Sequence, residues 1–156
     1  MRHYYPVIFK YFAFSLLLLP LSILISEDLD QNMECKSGDP EVFFIKPSNN
    51  FVSDSGLVEL EFGLTNFNIL PAGTIGCDAG HHHLLINTPL PDLKRPIPSD
   101  KNHIHYGKGQ TSATIELPPG RHSLRLILGD FAHIPHEDPI YSEELIIIVK
   151  SVSYTH

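Results

Sequence analysis

Basic residues are scarce in this 156-residue chain: 11 lysines and arginines face 18 aspartates and glutamates, a formal net charge of −7 with histidine neutral. Binding nucleic acid takes clustered cations that release phosphate counterions, so this balance argues against a nucleic-acid partner. Helical periodicity is also missing. After residue 27 no stretch repeats its apolar positions every 3.6 residues, which leaves no crossover helix for a parallel α/β fold. No internal repeat is visible, and no nucleophile with an orienting partner can be identified by spacing. Cysteine is limited to Cys35 and Cys77. In an exported chain, two cysteines read as one disulfide rather than a reactive thiol or a metal ligand.

Long apolar runs are confined to the start. Residues 11–25 are mostly apolar, follow Arg2 and Lys10, and contain Pro20. The run is shorter than the roughly 20 residues that span a bilayer comfortably. Residues 1–26 therefore read as a secretory signal peptide, with an uncleaved N-terminal anchor as the alternative because Leu24 departs from a small-x-small cleavage pattern. The expected organisation is a signal or anchor over 1–26, a linker arm over 27–41 and a histidine-rich domain over 42–150. The expected location is the periplasm or another exported compartment, with the membrane touched only through residues 1–26. A domain of this size buries on the order of two thirds of its unfolded surface, so it needs no metal merely to fold.

What remains is a series of short β-rich runs. Residues 57–62 alternate Val58, Leu60 and Phe62 with Glu59 and Glu61, the period-2 signature of a half-buried strand. Further strands are expected over 42–46, 81–87, 111–117, 122–128 and 145–149. Pro118, Pro119 and Gly120 turn the chain between two of them. About seven short strands with such punctuation predict an all-β, antiparallel immunoglobulin-like β-sandwich, with a jelly roll or small barrel as competitor. In a sandwich, alternate loops meet at the same end. Opposite the 118–120 turn would lie residues 66–80, 103–110 and 129–137, with Cys35 and Cys77 beside them.

Those segments carry the histidines. Eight of ten fall between His81 and His136, and imidazole is the commonest metal-binding side chain. Residues i and i+2 share a strand face, so His81 with His83, or His103 with His105, can aim two imidazoles at one ion. His133 and His136 suit one tight loop. These six form the pool of expected ligands, for copper or zinc, with Asp78 and Asp130 as acceptors for ligand N–H groups or as oxygen ligands themselves. His82 faces the other way and reads as structural, while His122 starts a strand at the opposite end. Lys108, between Gly107 and Gly109, reads as part of a flexible turn. The proline-rich stretch 89–98 reads as a rigid surface loop.

Several ordered motifs together carry a family resemblance: Gly80-His-His-His-Leu-Leu-Ile-Asn-Thr-Pro-Leu-Pro91, Pro96-Ile-Pro98, His103-Ile-His-Tyr-Gly-Lys-Gly-Gln-Thr111, Leu117-Pro-Pro-Gly120 and Leu128-Gly-Asp-Phe-Ala-His-Ile-Pro-His136. Over residues 42–149 the chain resembles the bacterial domain of unknown function family 4399. Asn87 stands where that family would have aspartate, and Tyr106 where phenylalanine is usual. The resemblance implies a small exported domain and supplies no catalytic residue.

Three functional expectations follow. The first is an exported metal-binding module that carries, buffers or senses copper or zinc. The second is a small metalloenzyme with Asp130, Glu137 and Asp138 as proton-transfer groups; a non-catalytic role is favoured over it. The third is a metal-independent envelope-protein or ligand-binding domain, with Tyr106 and Phe131 as contact residues.

Overall fold

The computed structural model describes residues 35–151. The signal or anchor segment, and the arm as far as residue 34, lie outside the described residues. Nine strands form among those described: β1 (Glu41–Lys46), β2 (Phe51–Ser53), β3 (Leu57–Thr65), β4 (Asn68–Ile69), β5 (Ala79–Ile86), β6 (His103–His105), β7 (Ser112–Glu116), β8 (Gly120–Gly129) and β9 (Leu145–Val149). They make two sheets. One has the order β1-β3-β7; the other has the order β2-β9-β8-β5-β4, with β6 also paired to β5.

The expected antiparallel sandwich is present. Two short parallel ladders, β2 with β9 and β4 with β5, are added to it. All six expected strands form with slightly shifted ends. β2, β4 and β6 were not among them, because two or three residues cannot show a period. The alternation in β3 turns Val58, Leu60 and Phe62 inward, against Leu84 and Ile86 of β5, Leu124, Leu126 and Leu128 of β8, and Ile147 and Val149 of β9. Burying each such side chain contributes about 1.5–3 kcal/mol.

β5 is buried along its whole length, which means that both of its faces are covered. Its alternation sends His82, Leu84 and Ile86 into the sandwich and His81, His83 and Leu85 to the outer face. The cover on that outer face is the proline-rich stretch, which does more than run over the surface. Leu90, Leu93 and Ile97 pack on Leu85 and Ile127, and the Ile97 amide donates to the His133 carbonyl at 2.8 Å.

Candidate metal centre

β5 places two imidazoles on one face, and its neighbours bring two more. His81 and His83 are 0% and 1% exposed. On one side, antiparallel β6 sets His105 opposite His83. On the other, β8 ends with Gly129 opposite His81, and the chain there folds back. Asp130 shapes that fold: its Oδ1 accepts from the amides of Ala132 at 2.8 Å and Ile134 at 2.9 Å. The His133 amide donates to the Asp130 carbonyl at 2.9 Å, and His133 takes a left-handed φ of 68°. His133 is thereby carried to the other three rings.

The four imidazoles pack face and edge. Ring centroids lie 4.9 Å apart for His81–His83, His81–His105, His81–His133 and His83–His105, 4.6 Å for His105–His133, and 5.9 Å for His83–His133. Nitrogens of His81, His105 and His133 all lie within 4.8 Å of one another. The Nε2 atoms of His81 and His83 are 3.1 Å apart. Glycine makes this crowding feasible. A Cβ on Gly129 would come 3.0 Å from His83 Nε2, and one on Gly107 would come 2.3 Å from His105 Cε1. Gly107 thus does more than turn the chain, and its position two residues from His105 is the signal for it in the sequence.

Burial dominates the electrostatics. It lowers the pKa of His83 to about 3 and that of His81 to about 4, with neighbouring imidazoles adding to the effect, while Asp130 partly opposes it at His81. His105 is lowered for the same reasons, burial first and His133 second. Rings held neutral at physiological pH keep a lone pair available for a cation. His81 Nδ1, His83 Nδ1 and His105 Nε2 are buried with no protein partner. Such orphans each cost about 1–3 kcal/mol, and a metal ion is one group that would satisfy two of them.

Two expected ligands fall outside this ring set. His103 lies opposite Leu85, two residues down the strand from His105 and so about 7 Å away. Its Nδ1 pairs with Asp100 Oδ1 at 2.9 Å. His136 packs edge-on against Phe67 at 4.9 Å, with Nε2 buried over Gly80. The tight loop expected to unite His133 and His136 separates them, because a bridge between Gly129 and Pro135 closes before His136. Asp130 spends Oδ1 on backbone amides instead of accepting from a histidine ring. Asp78 lies beside Cys77, its Oδ2 3.7 Å from Sγ.

The remaining assignments divide. His82 is structural: its Nδ1–H donates to the Gln110 carbonyl at 3.1 Å and its ring lies 5.1 Å from that of Phe62. His122 sits at the other end, where Nε2–H donates to the Pro118 carbonyl at 2.7 Å and Nδ1 accepts from Asn87 at 2.9 Å. Cys35 and Cys77 form a disulfide, so neither sulfur is a metal ligand. Tyr106 is no loop-end contact residue. It is buried against Phe62, and burial pushes its phenol up to about 12. Phe131 is exposed, as a contact residue would be.

Fold and site together define a β-sandwich domain with a cluster of imidazole nitrogens on one sheet's outer face. The chain belongs to the domain of unknown function family DUF4399, whose model matches residues 60–150. No curated protein matches it. Among solved structures it is similar to the fibronectin(III)-like modules of Clostridium thermocellum CbhA, at 14% identity and a TM-score of 0.45, over 76% of this chain and 51% of that one. The chain thus spans about half the length of that structure. No helix among the described residues is long and apolar enough to cross a membrane, and the disulfide is of the kind that persists in exported proteins.

Proposed function

We propose that this domain binds a single transition-metal ion outside the cytoplasm, copper or zinc, through donors drawn from His81, His83, His105 and His133, and that it carries, buffers or senses that ion. The observation that carries this reading is the set of imidazole nitrogens within 4.8 Å of one another, contributed by β5, β6 and the loop after β8. All donors are nitrogen. That disfavours calcium and magnesium, which take oxygen, and suits copper and zinc. Copper is preferred on affinity grounds by the Irving–Williams order.

Metal content measured by elemental mass spectrometry, on protein purified without an affinity tag or chelator, tests the reading. Near-stoichiometric copper or zinc that disappears in a His105→Gln, His133→Gln variant supports it. Protein that retains no metal after reconstitution with either ion overturns it.

A second reading needs no metal. Exposed Ile75 and Phe131 flank a cleft of about 290 Å³ at the same loop end, bordered by Asp78, Asp130 and His136. Under this reading the cleft receives an envelope protein or small ligand. Metal-free protein that binds such a partner, with loss on Phe131→Ser, is its test.

A further inference from the structure

The four imidazoles are not equivalent. His81, His105 and His133 share the three-way approach of nitrogens within 4.8 Å, whereas His83 stands 5.9 Å from His133, ring to ring. His83 is instead bound to His81, Nε2 to Nε2, at 3.1 Å. That contact occupies one nitrogen of His81 and leaves the other, Nδ1, buried without a protein partner; His105 Nε2 is in the same condition. When His81 donates its Nε2–H across this contact to His83, its tautomer carries the lone pair on Nδ1. Metal-binding histidines are commonly oriented by such a bond through their second nitrogen.

The charge balance adds a second constraint. The donor atoms of His81, His105 and His133 are imidazole nitrogens, which coordinate without bringing a negative charge, and no carboxylate or thiolate joins their set. A divalent ion held by them keeps its full charge in a partly dehydrated pocket, which favours an anion as the next ligand. His81 and His83 are closed off from solvent, whereas His105 and His133 are partly exposed.

We infer that His83 holds His81 rather than the ion, and that a metal bound by His81, His105 and His133 keeps a fourth coordination position, on the solvent side, for a small anion. His83 is a positioning residue. The inference rests on the metal-binding reading above and goes beyond it, because a closed four-histidine site would store an ion without admitting a ligand, whereas an open one presents it to a small anionic molecule.

The test is an azide titration of the Cu(II)-loaded protein, followed by optical and electron paramagnetic resonance spectra, with coordinated imidazoles counted by pulsed resonance. The expected result is three imidazoles and a saturable one-to-one azide adduct. In His83→Gln the adduct should persist, with copper affinity reduced about 10–100-fold. Four imidazoles and no azide response in the unaltered protein would overturn the inference and leave the metal-binding reading standing. An adduct that forms only in His83→Gln would do the same, since it would mark His83 as the fourth ligand. Failure of the unaltered protein to retain copper would remove both.

Discussion

Gly107 lies directly against the ring of His105: a Cβ at that position would come 2.3 Å from Cε1 and 2.4 Å from Nε2. Its backbone is outside the left-handed region, so alanine is conformationally acceptable there and only the imidazole has to move. Gly107→Ala should therefore weaken copper or zinc binding by about tenfold or more, as disturbing a ligand's support does, while the metal-free protein melts within a few degrees of the unaltered one. Competition against a chromophoric chelator, with a thermal melt alongside, checks this. Unchanged affinity would show that His105 does not need its present position to bind metal.

His103 and His105 look interchangeable in the sequence and are not in the structure. His105 meets three other imidazoles, while His103 is held by Asp100. His103→Gln should leave metal stoichiometry at the wild-type level, and His105→Gln should abolish retention through desalting. Loss of metal in both variants to the same degree would mean that His103 swings into the site.

How far the sequence could be read follows from the same contrast. Period-2 alternation located β3, β7 and β8, and loop-end topology pointed to the neighbourhood where His81, His105 and His133 meet, with His122 apart. The choice within each group was beyond it. A strand tells which residues share a face, but whether His103 or His105 reaches the cluster depends on the register of β6 against β5, set by three residues. Likewise, His133 and His136 are separated by the bridge from Gly129 to Pro135, and no spacing rule encodes that bridge. The cover formed by Leu90, Leu93 and Ile97 was hidden for another reason. Their prolines suggest an exposed loop, and only the outward-facing Leu85 and Ile127 create the apolar surface that draws them down.

His82 should impose a pH dependence on stability that is independent of metal. Burial lowers its pKa from 6.5 to about 4, so below pH 6.5 the unfolded chain binds a proton that the folded chain refuses. The stability contributed by the neutral ring is fully present above pH 6.5 and is lost as pH falls toward 4. At about 1.4 kcal/mol per pKa unit this is roughly 3 kcal/mol, and the lowered values at His81 and His83 act in the same direction. Urea unfolding of metal-free protein at pH 7.5 and pH 4 should show a large decrease, and His82→Gln should reduce that decrease by about 2–3 kcal/mol. An identical decrease in the variant would mean that His82 titrates normally in the folded state.

Asp130 is expected to govern the site from outside it. Its Oδ1 takes two backbone amides from the loop that presents His133, and hydrogen bonds to a charged group contribute about 1.5–3 kcal/mol each. Asp130→Ala removes both, so stability should fall by about 2–4 kcal/mol, non-additivity keeping the total below the simple sum. Metal affinity should fall with it, because His133 loses its fixed approach. Asp130→Asn keeps an oxygen at the same place and loses the charge; it should retain most of the stability and a metal affinity between the other two proteins. This ordering, read by urea unfolding and chelator competition on the same samples, separates loop shaping from direct ligation. If the alanine variant lost metal while unfolding at the same urea concentration as the unaltered protein, Asp130 would be acting on the ion itself.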